Sequence, residues 1–132
     1  MFEFLAIDWG QKRFGLAFGN KTTGLIIPSV KENFSVNIFA LIQKEVAERK
    51  IKTFVVGIPT NKSLEITEVT TKINSFIQEL SKTFPTIPIK TINERQSTKV
   101  SKQLLGPKQK DKHLINNLAA TQILEYFFNQ ID

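Results

Sequence analysis

The sequence predicts an α/β fold in which a mixed five-stranded sheet carries helices packed on its faces. Three apolar segments stand close together at the start, joined by short connections with no helix between them, which is typical of an antiparallel meander. Helical and strand-like segments then alternate, and this alternation predicts two crossover strands. The predicted order is β-β-β-α-β-α-β-α-α, within a single domain spanning residues 1–132.

The meander is predicted from apolar runs bounded by turn residues. Residues 2–8 are apolar and aromatic, which indicates a buried strand ending at the carboxylate of Asp8. Residues 14–18 form a second run, bounded by glycines, and residues 24–30 form a third. Pro28 within the third run predicts an edge strand or a bulge, because proline lacks the N–H that an inner strand must donate.

The later elements are predicted from the change of hydrophobic period. Apolar residues at helical spacing indicate amphipathic helices, whereas a short continuous apolar run is typical of a strand buried on both faces. These patterns predict a helix over 34–50, a strand over 53–57, a helix over 66–80 broken before Pro85, a strand over 87–92, a helix from about Ser97 and a last helix over 113–129.

The composition excludes several kinds of function. The 132 residues include no cysteine and only one histidine, which rules out disulfide frameworks, cysteine-type zinc sites and thiol nucleophiles. No apolar run approaches the roughly 18 residues of a membrane span, and the N-terminus lacks a basic leader. We therefore expect a cytoplasmic protein with no membrane partner. We also expect either a monomer or a weak homodimer.

Positive charge is concentrated in one stretch of the chain. The formal net charge is +6, from 18 basic and 12 acidic side chains. Residues 90–113 alone hold seven basic residues against two acidic ones, whereas residues 114–132 hold no basic residue. Such a stretch favours a polyanion partner, because phosphates release counterions when they are neutralised. The alternative is a solvated surface segment that only aids solubility.

Two carboxylates at strand ends suggest a cation site. Asp8 ends the first strand, which lies centrally in a sheet of this order, and Glu94 follows the last strand. The two side chains would then meet at one edge of the sheet, where crossover folds place their sites. Convergent carboxylates suit a hard cation such as Mg²⁺. Taken singly, Asp8 also suits a tight turn before Gly10, and Glu94 also suits a surface ion pair with Arg95.

Four motifs in order resemble the YqgF/RuvX family, over essentially the whole chain. The segment Ala6–Ala17 (AIDWGQKRFGLA) is similar to the opening motif of the family, and Val55–Pro59 (VVGIP) to its V-G-x-P strand and turn. Asn93–Thr98 (NERQST) resembles its D-E-R-x-S-T segment, and Ala119–Glu125 (AATQILE) its closing A-A-x-x-I-L helix. Members of this family are described as pre-16S rRNA nucleases and as Holliday-junction-resolvase-like proteins.

The resemblance implies a ribonuclease-H-like fold whose acidic residues bind Mg²⁺ or Mn²⁺ to cut phosphodiester bonds. Asp8 and Glu94 fall on two of the three acidic positions of the family and are the implied metal ligands. The third position is Asn116 here, and Asn93 stands where the family usually has Asp. The catalytic set implied is therefore Asp8, Glu94 and Asn116.

The last helix agrees with this assignment. Asn116 shares one helical face with Ala119, Ala120 and Ile123, and small alanines would let the helix approach the sheet closely. Alternatively, Asn116 is only a hydrogen-bonding residue near the helix start, where asparagine is favoured. Asp111 and His113 precede it and are weaker candidates for a substitute ligand or base.

The main functional prediction is a metal-dependent nuclease acting on structured RNA, namely precursor 16S rRNA during ribosome biogenesis. Phosphates would be held by polar and basic side chains, which are Lys12, Arg13, Arg95, Ser97, Lys99 and Lys102. One alternative is a nuclease of branched DNA such as a Holliday junction. Another is a nucleic-acid-binding protein whose catalysis is weakened because Asn116 replaces the third acidic residue.

Overall fold

The computed structural model describes residues 2–10, 13–29, 37–59, 68–94 and 112–130, and these form five strands and three helices. In chain order they are β1 (Phe4–Asp8), β2 (Gly15–Gly19), β3 (Ile26–Pro28), α1 (Ile38–Arg49), β4 (Thr53–Pro59), α2 (Glu68–Thr83), β5 (Ile89–Glu94) and α3 (Lys112–Gln130). The order of these elements confirms the prediction. The helix predicted from Ser97 lies outside the described residues.

The strands form one mixed sheet in the order β3-β2-β1-β4-β5. β1 pairs antiparallel with β2, and β2 pairs antiparallel with β3, so the predicted meander is confirmed. β4 pairs parallel with β1 and β5 pairs parallel with β4, as the two crossovers require. β1 is therefore the central strand, and its C-terminal end lies beside those of β4 and β5.

The strands differ from their predicted bounds by up to two residues at an end, and β3 and β5 differ most. β3 is shorter than the predicted 24–30, and it is an edge strand, as Pro28 predicted. β5 begins and ends two residues later than predicted, so Glu94 is the last residue of the strand rather than a residue after it. The reason is its partner: β4 continues to Pro59, and parallel pairing with that longer strand extends β5 through polar residues up to Glu94.

One face of the sheet, which we call the large-residue face, packs against α1 and α2. It carries alternate residues of the inner strands, all of them buried and apolar: Leu5, Ile7, Leu16, Phe18, Phe54 and Val56. The helices contribute Ile38 and Ile42 from α1 and Ile73, Phe76 and Leu80 from α2. Burial of these side chains is the main source of stability in the molecule.

The opposite face, the small-residue face, packs against α3. The same strands present Ala6, Ala17 and Val55 here, against Ala120, Ile123 and Leu124 of the helix. A Cβ atom added at Gly19 would lie 2.9 Å from Cδ1 of Leu124. Small residues in the sheet therefore let the helix approach closely.

None of the helices in the described part of the chain is long and apolar enough to cross a membrane.

Candidate active site

Asp8 lies at the C-terminal end of the central strand with a glycine on either side. It pairs with Gly15 of β2 and with Gly57 of β4. Residues paired in this way project to the same face of a sheet, and Ala6, two residues earlier, is buried on the small-residue face. The half-buried Asp8 therefore projects toward that face, with no neighbouring side chain in its row on β2 or β4.

Glu94 lies at the same edge of the sheet, two strands away. Gly57 pairs with Ile92 of β5, and Glu94 is two residues further along that strand. Ile92 is buried on the small-residue face, and the backbone of Glu94 lies two residues closer to the C-terminal edge of the sheet. Strands β1 and β5 are two strand spacings apart, which corresponds to roughly 10 Å. The row of Asp8 continues through Gly57 to Ile92. The backbone of Glu94 lies beyond this row, opposite Pro59 of β4. The sheet thus brings the backbones of Asp8 and Glu94 to one edge, although β5 pairs with β4 and not with β1.

The start of α3 lies over the same edge. The C-terminal half of the helix covers the opposite end of the sheet, where the ring of Phe4 lies 5.2 Å from that of Phe128. Further toward its N-terminus, the side chain of Asn117 contacts Leu16, the residue after the partner of Asp8. Because the helix spans the sheet in this direction, the backbone of Asn116 lies at the end that carries Asp8.

Asn117 was not among the predicted site residues, and it is what anchors this end of α3. Its side chain is fully buried. Its Oδ1 accepts a hydrogen bond from the backbone N–H of Leu16 at 2.8 Å, and its Nδ2 donates to the carbonyl oxygen of Ser29 at 2.7 Å. The signal was present in the sequence, because Asn117 lies three residues before Ala120 on the buried stripe of the helix.

This amide completes the sheet where β3 ends. The backbone N–H of Ser29 donates to the carbonyl oxygen of Leu16 at 2.9 Å. In the other direction, the side-chain amide of Asn117 stands between the N–H of Leu16 and the carbonyl oxygen of Ser29 and bonds to both. A buried amide must satisfy both its oxygen and its nitrogen, and this position does so with one bond to each strand. Asn117 therefore fixes the height and direction of α3 above the edge that carries Asp8.

Gly10, after β1, lies close to the backbone of Arg13, before β2. A Cβ atom added at Gly10 would collide with the carbonyl oxygen of Arg13, so only glycine fits at this position. The turn brings Arg13, which is half-buried, to the same edge of the sheet as Asp8. Among the other predicted phosphate-binding residues, Lys12, Arg95, Ser97, Lys99 and Lys102 lie outside the described residues, as does Asp111.

The candidate metal ligands at this edge are oxygen atoms. No group of three or more His, Cys, Asp or Glu side chains capable of holding a metal ion occurs among the side chains that the structure describes, and those of Glu94, His113 and Asn116 are not among them. Carboxylate oxygens, with an amide oxygen as a neutral addition, are ligands that Mg²⁺ and Mn²⁺ accept. The backbone positions of Asp8, Glu94 and Asn116 are compatible with such a site.

The fold is shared with known resolvases. The RuvC protein of Thermus thermophilus, solved in complex with a Holliday junction substrate, matches with a TM-score of 0.57 and 13% identity, over 97% of this chain and 94% of that one. The Holliday junction resolvase of fowlpox virus matches with a TM-score of 0.57 and 14% identity, over 96% and 98% of the two chains. These matches confirm the predicted ribonuclease-H-like fold.

Sequence relatives and a family model identify the same family as the four motifs do. A protein of Chlorobium chlorochromatii is 32% identical over 97% of this chain and 95% of its own, and one of Porphyromonas gingivalis is 29% identical over 100% and 99%. Both are named "Putative pre-16S rRNA nuclease". The family model described as "RuvX: Holliday junction resolvase" matches residues 2–130. The resemblance identified from four motifs is thereby confirmed, and the chain belongs to the RuvX family.

Proposed function

We propose that the protein is a divalent-metal-dependent nuclease that hydrolyses phosphodiester bonds in structured RNA, with precursor 16S rRNA as its substrate. The observation that carries the proposal is the position of Asp8, a carboxylate at the end of the central strand with a glycine on each side. The names of the relatives support the reaction and the substrate. The relatives are bacterial, and we propose the cytoplasm, where bacterial rRNA is transcribed, as the location.

We assign the metal to Asp8 and Glu94, with Asn116 as a neutral neighbour. Gly57 leaves the β4 position beside Asp8 without a side chain, which favours an ion bound next to Asp8 on the side of β5. Bound Mg²⁺ or Mn²⁺ in such a site would supply charge neutralisation at the phosphate and an acidified water. Side chains of the protein must bind a phosphate of the substrate and hold it at this edge of the sheet.

The proposed phosphate contacts come from the β1–β2 turn and from the basic segment after β5. Arg13 lies at the edge that carries Asp8, and its planar guanidinium suits two phosphate oxygens at once. We assign the same role to Lys12, Arg95, Ser97, Lys99 and Lys102. Such contacts position a strand without reading its bases, and they favour recognition of RNA by its shape.

The proposal is tested by replacing Asp8. In Asp8→Asn, binding of Mn²⁺ measured by calorimetry and cleavage of a precursor 16S rRNA fragment should both fall to background, while the circular dichroism spectrum should not change. The matched control is Glu125→Gln, which neutralises an exposed carboxylate on α3. If Asp8→Asn binds Mn²⁺ and cuts like the wild type, the proposed site is wrong.

A second candidate function is cleavage of branched DNA. It is favoured by the description of the family model and by the structural likeness to two junction resolvases. Parallel assays on the precursor rRNA fragment and on a four-way DNA junction separate the two substrates. Cleavage of the junction alone would replace RNA by DNA in the proposal, and tight binding of either with no cleavage would favour a binding protein.

A further inference from the structure

A cleft lies on the large-residue side of the sheet, next to the turn that follows Asp8. Its volume is roughly 330 Å³, and it opens between the β1–β2 turn, the start of α1 and the middle of α2. Its apolar wall is aromatic, formed by Trp9, Phe14, Phe39 and Phe76. This volume is within the range of small-ligand sites. The cleft lies on the opposite side of the sheet from α3 and is therefore separate from the site assigned to Asp8.

The aromatic wall is rigid at its base and accessible at its mouth. Phe14 and Phe76 are 3% and 6% exposed, and their ring centres lie 4.9 Å apart. Phe39 packs on Phe76 at 5.4 Å, and Trp9 meets Phe14 edge-on at 6.3 Å. Trp9 itself is only half-buried. A half-exposed indole above a packed aromatic base offers a flat surface on which a planar ring can stack.

The other wall is polar and belongs to one face of α2. Thr71, Ser75 and Glu79 recur every four residues and line the cleft, with Lys72 beside them. All four are exposed. Lys72 and Glu79 are seven residues apart, which corresponds to roughly 10 Å along the helix. The cleft thus has a cation at one end, a carboxylate at the other, and hydroxyl groups between them.

The direction of α2 places Lys72 toward the edge of the sheet that carries Asp8. α2 follows β4 and must return across the sheet before β5, which runs parallel to β4. The early turns of α2 therefore lie toward the C-terminal ends of the strands, where Asp8 is found. Lys72 is in the second turn and Glu79 in the last turns of the helix. A phosphate at Lys72 would lie closer to that edge than a ring beside Glu79.

We propose that this cleft binds one unpaired nucleobase of the substrate strand, stacked on Trp9, with Lys72 contacting a neighbouring phosphate. The inference rests on the proposed function, since it places a nucleotide of the strand that the Asp8 edge would cut. Aromatic rings together with a cation and hydroxyl groups are the combination that binds single-stranded nucleic acid. Lys72 in the polar wall favours an occupant that carries a phosphate over a purely apolar peptide.

The test uses the fluorescence of Trp9, which is the sole tryptophan of the chain. The wild-type protein is titrated in EDTA with the four ribonucleoside 5′-monophosphates, with ribose 5-phosphate, and with a short single-stranded oligoribonucleotide. At least one mononucleotide should quench Trp9 with saturation, ribose 5-phosphate should not, and the oligonucleotide should bind more tightly than the mononucleotide. Quenching by ribose 5-phosphate equal to that by nucleotides would overturn the stacking, and a loss of affinity in the oligonucleotide would overturn the link to a strand.

Two pairs of variants on α2 locate the ligand. Ser75→Met fills the cleft from the polar wall and should weaken nucleotide binding at least roughly tenfold, because the stacked ring is displaced. Gln78→Met, on an exposed position outside the cleft, is its control. Lys72→Gln should weaken binding roughly two- to fivefold, whereas Lys82→Gln, an equal change of charge outside the cleft, should not. Equal effects within either pair would overturn the proposal.

Failure of this inference is distinguishable from failure of the proposed function. The titration in EDTA does not depend on cleavage, so saturable quenching without any nuclease activity would support the cleft and reject the nuclease. Conversely, Asp8-dependent cleavage by a protein whose Trp9 fluorescence responds to no nucleotide would support the nuclease and reject the cleft.

Discussion

The two faces of the sheet use alternate residues of the same strands for different purposes. On the large-residue face, Leu5 and Ile7 of β1 are buried under α1 and α2. On the small-residue face, the intervening positions of β1 are Ala6 and Asp8. The first face buries large apolar side chains and holds the fold together. The second keeps side chains small, so that a helix can lie close to the carboxylate at the strand end.

The difference is sharpest in the row of Asp8. Its neighbours on the small-residue face are Gly15 and Gly57, whereas the residues directly before and after them are mostly large and buried. Glycine in a strand weakens it and often marks a place where something approaches closely. The glycines therefore leave room beside Asp8, whereas the opposite face supplies the large buried contacts.

The largest expected effect is the loss of stability when a buried side chain of the large-residue face is truncated. Phe54 is fully buried, and its ring packs at 5.3 Å from that of Phe84. Phe54→Ala should lower the free energy of unfolding by about 3–5 kcal/mol, measured by urea denaturation. Val55→Ala, one residue along on the other face, should cost about 2 kcal/mol. An equal loss in both variants would mean that the two faces do not differ in this way.

The second prediction concerns the anchor of α3. Asn117→Leu keeps the number and branching of the side-chain heavy atoms but leaves the N–H of Leu16 and the carbonyl oxygen of Ser29 without the bonds that Asn117 makes. We expect a loss of about 2–4 kcal/mol in unfolding free energy and faster hydrogen exchange at the amide of Leu16. Asn129→Leu makes the same change at an exposed position of the helix and should have little effect. Unchanged exchange at Leu16 would contradict the role given to Asn117.

The third prediction concerns the gap beside Asp8. Gly57→Val places a branched side chain in the row between Asp8 and β5, where it would obstruct an ion shared with Glu94. Affinity for Mn²⁺ should fall about tenfold, equivalent to about 1.4 kcal/mol, in calorimetric titration. Thr91→Val, at an exposed position of β5, adds a valine to the sheet away from that row and should leave the affinity unchanged. Equal affinities in the two variants would place the ion elsewhere.

Much of the fold could be predicted from the sequence, because alternation and helical spacing are local signals. The short connections before residue 30 were enough to predict the meander, and the change of period after it predicted the crossovers. Together they predicted the central position of β1. The end of β5 was not predictable in this way, because Asn93 and Glu94 are polar and belong to the strand only through pairing with β4. Strand ends that depend on a partner carry no local signal.

The candidate site was predictable in part. The prediction that Asp8 ends the central strand of the sheet is confirmed. The alanines of the last helix predicted its close approach, which the burial of Ala119 and Ala120 confirms. Asn117 was missed, because a buried asparagine and an exposed one look alike until the helix face is fixed. The roles of Glu94, Asn116 and the basic residues after β5 stay predictions.

The smallest expected effect, and the most specific, is a gain of activity at Asn116. An amide oxygen is neutral and binds Mg²⁺ more weakly than a carboxylate, so Asn116 leaves the proposed site with one negative charge fewer. Asn116→Asp should therefore raise the divalent-stimulated cleavage rate and lower the metal concentration needed to reach it. Stability should change little, or fall slightly without metal, because three carboxylates would then repel one another.

The comparison is a metal titration of the wild type and Asn116→Asp on the same precursor rRNA fragment, with Asp8→Asn as the inactive reference. The neighbouring change Asn117→Asp is the matched control, because it adds the same charge one residue away but removes the Nδ2 donor to Ser29. That variant should lose stability and gain no rate. If the wild type already cuts at full rate and Asn116→Asp gains nothing, Asn116 is not at the third acidic position. The missing ligand would then have to come from Asp111 or from a backbone carbonyl.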